Sequence, residues 1–417
     1  MSLRKQDSVR KAGRRLTEVV MLFYLSGFLL LAIRRNDITG YALAVGVPLI
    51  IWIGSTLLPM IFHVDSLMLA LTNFLCALGV LLLYDTNPDY ARQQVVWYGL
   101  GVLAMLVCIW AVRTFDFGRR AAWLLAFVSL GLLALPLVFG RETFGAKNWI
   151  YIAGVSFQPS EAVKLSLLII LARCMADRRF WPWFLFALAC LALLMLQMDL
   201  GTALLYYGVT LMLGFASTGS FFLLLAGILG AGGAAWAGYR LFAHVKKRVA
   251  IWRNPWAVYD TFGYQIVQGL IALASGGLMG VGLGLGSPTT IPVYESDFIF
   301  AVLCEQFGLI FALFVLAIVV ALVWRGTTIA MAARTSFHGL LAMGATLMIG
   351  LQTFVIVGGV IKLIPLTGVT MPFVSYGGTS LLSSMCLVGL IQGVESLNRD
   401  DLAEDSRLAL MAEEADA

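Results

Sequence analysis

The chain has 417 residues, 60% of them hydrophobic and only 12% charged, with a formal net charge of +5. A soluble domain carries about 25% charged residues, so a large water-soluble core is excluded. The small positive balance is no nucleic-acid signature either, because no basic surface interleaved with stacking aromatics lies outside the apolar runs.

Many apolar runs reach the ~20 residues that cross ~30 Å of hydrocarbon as helix. Twelve spans are expected, near 17–33, 39–62, 65–84, 93–112, 120–139, 160–176, 180–198, 200–217, 220–242, 298–324, 335–360 and 375–396. The fold class is therefore an all-α polytopic membrane protein. The alternating segments of a barrel do not recur, and an open sheet cannot live in lipid. Arg4, Lys5, Arg10, Lys11, Arg14 and Arg15 precede the first run, and no small-residue cleavage site follows it. That run is expected to anchor the chain with a cytoplasmic N-terminus. Odd spans then go out, even spans return, and both termini are cytoplasmic. The larger share of Lys and Arg falls in the cytoplasmic segments, as it should. Arg34 and Arg35 are the exceptions: they fall outside, between the first two spans.

The six cysteines lie in or at the ends of spans and form no CxxC pair, which removes zinc spacing and a disulfide framework. His63, His244 and His338 are scattered and offer no metal cluster.

Two outer segments are unusually long, Arg141 to Gln158 and His244 to Ser296; connections of this length are often functional. The first holds Gly145-Ala-Lys147-Asn148-Trp149, a cation beside an interfacial tryptophan. Gln158-Pro159-Ser160-Glu161-Ala-Val-Lys164 then opens the sixth span. Glu161 and Lys164 are three apart on one helical face and can pair at its outer end. They read either as a structural ion pair or as function, because ionisable residues inside a span are expensive. Asp199-Leu-Gly201 breaks two apolar spans at the same outer level; a plain turn explains it equally well.

The second long segment holds Arg248 and Arg253-Asn-Pro255-Trp256, then Gly263-Tyr264-Gln265 with Gln268, then glycines from Gly276 to Gly286. A dinucleotide reading fails for lack of a strand–turn–helix context. The glycines either let helices approach closely or expose backbone amides to an anionic or sugar ligand. Pro292-Val-Tyr-Glu295-Ser296-Asp297-Phe-Ile-Phe300 follows and sets Asp297 on the seam between polar loop and apolar helix. An acid there can start a helix or do chemistry at the membrane surface. Glu305, eight residues on, falls about 80° off its face if both are helical, and takes a supporting role. Two prolines and a glycine pair shape the last outer loop, Lys362 to Ser380, which includes Ser375.

Taken together these motifs resemble the SEDS family of bacterial cell-wall proteins, the RodA/FtsW/SpoVE group. The residues that carry the resemblance are Gln158-Pro-Ser-Glu161-x-x-Lys164, Asp199-Leu-Gly201, Gly263-Tyr264-Gln265 with Gln268, Ser275-Gly-Gly277, Ser296-Asp297-Phe-Ile-Phe300-Ala with Glu305, and Pro365 through Ser380. They stand in family order. The resemblance implies a ten-helix core, here residues 65–397 with a large extracytoplasmic loop at 243–297. A basic segment and two extra helices precede it (1–64), and an acidic cytoplasmic tail follows (398–417). Met198 stands where the family usually has proline, and Val293 and Glu295 where many members have Glu and His.

The resemblance further implies a multi-pass protein of the bacterial cytoplasmic membrane, polymerising lipid II into glycan strands at the outer face. A class B penicillin-binding protein is the implied partner, and a divalent cation, Mg or Mn, is compatible with that chemistry. Asp297 matches the family's essential acid, and Glu161 and Lys164 its functional Glu and Lys. The reaction needs a base for a sugar hydroxyl and cations for a departing diphosphate. Asp297 is the expected base. Lys164, then Arg248, Arg253 and Lys147, are the expected diphosphate contacts; Gln268 is a further substrate contact, and Asp199, Glu305 and Ser375 are supports. Glu161 is expected to orient Lys164. The competing readings are a flippase for the same lipid precursor, which wants charges near the midplane, and a noncatalytic scaffold for the penicillin-binding protein.

Overall fold

The structure is a computed structural model describing residues 3–415 apart from 116, 144–145 and 153–154. For residues 3–14, 142–143, 152, 155, 262 and 415 the backbone alone is described, and Gly145 lies outside the described residues. In chain order the helices are α1 (Leu3–Arg35), α2 (Ile38–Trp52), α3 (Leu58–Phe62), α4 (Ser66–Thr86), α5 (Pro88–Thr114), α6 (Arg119–Phe139), α7 (Pro159–Ala176) and α8 (Phe180–Leu196). Then come α9 (Leu200–Thr218), α10 (Phe221–Leu241), α11 (Ala243–Arg253), α12 (Tyr264–Gly276), α13 (Ile299–Met331), α14 (Ser336–Val360) and α15 (Gly378–Ala415). A π-helical turn joins α2 to α3, so the two form one span.

Among the described residues ten helices are long and apolar enough to cross a membrane. The other two expected spans form helices where the apolar runs placed them. However, α7 carries Glu161, Lys164 and Arg173, and α8 has only 17 residues. Local chemistry sets the helix ends. Asp65 caps α4 by accepting from Met68 N at 2.7 Å, and Asn87 caps α5 with Pro88 in its first turn. The central helix is α4, buried almost throughout, whereas α10 fully buries only Gly238 and leaves most of its apolar residues exposed.

Both long segments between apolar runs are folded. Residues 141–157 form a small antiparallel meander, β1 (Arg141–Thr143), β2 (Ala146–Ile152) and β3 (Val155–Phe157), with Arg141 opposite Trp149 and Ile150 opposite Phe157. Residues 243–297 supply α11, α12 and the glycine-rich loop. The last helix, α15, is 38 residues long and continues into the expected acidic tail, where Asp401 and Asp405 pair with Arg334.

One end of the bundle is closed by ions. Asp65 is fully buried and accepts from Arg325 Nε and Nη2 at 3.1 and 2.7 Å; Arg399 reaches it at 3.6 Å and Glu395 at 2.7 Å. This cluster ties α4, α13 and α15 together.

Candidate active site

At the opposite end lies a cavity of about 680 Å³. Its walls come from the meander, the first turns of α7 and α9, α11, the start of α12, the turn before α13 and the loop from 361 to 377.

Asp297 faces this cavity from outside α13. The helix begins at Ile299, and the carboxylate makes no capping bond to it; its Oδ1 accepts from the Ser296 hydroxyl at 2.8 Å. The turn is fixed through the backbone. Asp297 N donates to Val293 O at 3.2 Å, and Val293 adopts φ 57°, a left-handed conformation that a β-branched residue rarely takes. Strain of this kind persists where surroundings over-determine a functional segment. Ser375 Oγ donates to Ser296 O at 2.6 Å and accepts from Met371 N, which ties the acid's turn to the last loop. Burial pushes the Asp297 carboxyl up to about 6, with Glu295 adding to the rise, while Ser296 and Arg248 hold it down.

Opposite it stands α11. His244, Lys247, Arg248 and Ile251 all line the cavity, the i, i+3, i+4, i+7 pattern of one helical face. Arg248 reaches the carbonyls of Leu366 and Thr367 at 3.5 and 3.4 Å, and Trp252 Nε1 donates to Lys362 O at 3.0 Å, which docks α11 on the loop. Burial lowers the Arg248 guanidinium, against the pull of Asp199 and Asp297. The Nε2 of His244 is buried without a partner.

Asp199 also faces the cavity but is saturated. Asn148 and Gln158 donate to its Oδ2 at 2.9 and 3.1 Å, as does the Thr202 hydroxyl, while Thr202 N caps onto Oδ1. It builds the wall and caps α9. Glu161 lines the cavity in front of Lys164, whose Nζ lies 2.7 Å from Glu161 Oε2 and 2.9 Å from Gln352 Oε1; Ser383 also donates to Glu161. Lys164 itself is 1% exposed and lies behind the wall.

Lys164, Lys147, Arg253, Gln268 and Glu305 do not line the cavity. Lys164 sits behind the wall with its ammonium on Glu161 and Gln352. Lys147 turns away and donates to Leu137 O at 2.9 Å, while its neighbours Ala146 and Asn148 line the cavity. Arg253 is exposed beyond the end of the lining face of α11, and Gln268 donates to Tyr259; of α12, Gln265 and Ile266 reach the cavity instead. Glu305 lies away from Asp297 and accepts from Ser287 N at 3.1 Å.

Of the two readings of the glycine loop, close packing is the one its backbone contacts favour. Val281 N and Gly282 N donate to Glu305 O and Gln306 O, and Gly280 N to Gly276 O. Sequence reading missed His244 and Lys247. The signal was present in their spacing from Arg248, but it had weight only once 243–253 was seen to be helical.

Fold and site together define a multi-pass membrane protein with a carboxylate facing cations across a chamber at one end of its bundle. The family model of FtsW, RodA and SpoVE, described as cell cycle protein, matches residues 57–400. The peptidoglycan glycosyltransferase RodA of Mycobacterium bovis is 32% identical over 79% of this chain and 77% of its own. The stage V sporulation protein E of Bacillus subtilis is 32% identical over 80% of this chain and 98% of its own. Among solved structures, the rod shape determining protein RodA of Thermus thermophilus superposes with a TM-score of 0.60 at 28% identity, covering 81% of this chain and 98% of that one. A chain from a study of the structural coordination of polymerization and crosslinking by a peptidoglycan synthase complex gives 0.67 at 29%, covering 81% and 98%. The chain belongs to the FtsW/RodA/SpoVE family.

Proposed function

We propose that this protein is a peptidoglycan glycosyltransferase that polymerises lipid II, with Asp297 as the general base. Its family membership and the activity in its relatives' names support the reaction. The observation that carries the site is Asp297 itself, an uncapped carboxylate turned into the cavity across from the basic face of α11.

Asp297 takes the proton of the acceptor sugar's C4 hydroxyl. That oxygen attacks the anomeric carbon of the lipid-linked donor, and the bond to the lipid diphosphate breaks. With a pKa near 6 the carboxyl is ionised at neutral pH yet basic enough to accept the proton. Arg248 and Lys247 balance the charge that grows on the diphosphate, and His244 Nε2 offers it a hydrogen bond. Glu161, neutralised from behind by Lys164, fixes the far wall together with Gln352. Among the described residues no group of three or more His, Cys, Asp or Glu could hold a metal ion without help from the substrate's own diphosphate oxygens.

The cavity is assigned to the outer face of the bacterial cytoplasmic membrane, with both termini cytoplasmic. The basic N-terminal segment and the likeness to a peptidoglycan synthase complex support this orientation and a class B penicillin-binding protein as partner. The test incubates the purified protein, alone and with that transpeptidase, with labelled lipid II. Glycan strands should form with wild type and not with Asp297→Asn. A flippase would move labelled lipid across vesicles without joining sugars, and a scaffold would do neither.

A further inference from the structure

The helices α1 and α2 precede the family match, and their outer turn carries Arg34 and Arg35, the two cations that defy the charge bias. Both are engaged. Arg34 Nη1 donates to Gly284 O at 2.7 Å, and Arg35 donates to the carbonyl of Asp85 and lies 4.0 Å from its carboxylate. Asp85 in turn accepts from Gln306 Nε2 at 2.6 Å.

These contacts converge on a break in α13. Gly308 has φ 81° and ψ 174°, so the helix is interrupted after Phe307, and residues 299–307 form a half-helix of their own. The glycine loop fills the break in a strand-like register. Val281 N and Gly282 N donate to Glu305 O and Gln306 O, and Leu309 N and Ile310 N donate to Gly277 O and Leu278 O. A Cβ at Gly308 would strike the backbone of Gly280 and Leu278, so the approach depends on glycine. Below, Phe23 stacks on Phe311 at 5.9 Å and Tyr24 donates to Phe74 O at 2.6 Å, which seats α1 along α4 and α13.

Asp297 stands two residues before this half-helix. The half-helix cannot shift without shifting the loop, and the loop is held from outside by Arg34.

We propose that the N-terminal hairpin is a built-in clamp, in which Arg34 and Arg35 position the half-helix 299–307, and with it Asp297, through the glycine loop and Asp85. Both are positioning residues and touch no substrate. The catalytic consequence rests on the proposed role of Asp297; the clamp itself does not.

The experiment reads two quantities on the full chain in nanodiscs. One is hydrogen exchange over 277–310, and the other is the kinetics of lipid II polymerisation. Arg34→Ala with Arg35→Ala should speed exchange about tenfold over 277–310 and leave α5 unchanged. It should lower kcat about tenfold with KM held within twofold, because small misplacement of a reacting group costs rate more than binding. Arg34→Lys, which keeps one donor, should recover most of the rate at unchanged thermal stability. Exchange at the wild-type rate in the double variant overturns the clamp. Faster exchange with kcat unchanged overturns its catalytic consequence. Faster exchange in a protein whose wild type makes no glycan upholds the clamp and overturns the glycosyltransferase reading.

Discussion

The two ends of α4 and α13 both carry charge, and they use it in opposite ways. At one end Asp65, Arg325, Glu395 and Arg399 pair with one another, with Gln392 accepting from Asp65 N at 2.7 Å and donating to its carbonyl. At the other end Asp297 has one hydroxyl and a chamber of about 680 Å³. A charge inside a membrane protein therefore marks function by what is left over after pairing, not by its presence. Glu161 and Lys164 obey the same rule within the site: Lys164 is consumed, and only the acid reaches the cavity.

The contrast is broken most directly at Asp297. Asp297→Asn should lower polymerisation by about 10²- to 10⁴-fold, the usual worth of a general base, in the labelled lipid II assay. It should not cost stability. The folded carboxyl is raised to about 6 from its ordinary 3.8, so the folded state binds its proton more tightly than the unfolded chain does. Stability is then greatest below pH ~4 and falls as pH rises to ~6, and an uncharged Asn escapes that loss. The melting temperature of Asp297→Asn at pH 7 should equal or exceed that of wild type.

Asp65→Ala should act the other way. Removing the shared acceptor leaves Arg325 and Arg399 with Glu395 alone to balance them, at a cost of about 3 kcal/mol. Thermal unfolding in nanodiscs should show a large loss, and any loss of turnover should follow the folded fraction. Equal melting temperatures for Asp65→Ala and Asp297→Asn would dissolve the distinction between the two ends.

Smaller changes sharpen it. Arg248→Ala should lower kcat/KM about 10²-fold, as loss of a transition-state donor does. His244→Ala should cost about fivefold, the worth of one neutral hydrogen bond. The rate should rise with pH through about 6 as Asp297 ionises. Arg248→Gln should move that rise to higher pH, because the guanidinium favours the carboxylate. A pH profile left in place by Arg248→Gln would separate the two groups.

Much was legible in the chain before any coordinates. Apolar runs of membrane length gave the helices, since lipid permits no other open backbone. Asp297 stood on the seam with its motif, and Ser375 stood in the loop that now holds it. Where a side chain ends depends on the neighbours it finds, and those were not legible. Lys164 and Arg248 look alike as cations near one level, yet Gln352, 188 residues away, consumes the first, and the dock of α11 on residues 362–367 turns the second into the cavity. The glycine run allowed either close packing or a cradle for an anion, and the carbonyls of Glu305 and Gln306 beside the break take up the amides of Val281 and Gly282.

The sequence alone therefore determined where the long apolar helices run and which acid stands at the edge of one, because hydrophobic length and helix breakers act locally. Only the tertiary structure decided which charges remain unspent. Pairing is a long-range matter: Arg34 meets Gly284, and Asp65 meets Arg325, only after the helices have been brought side by side.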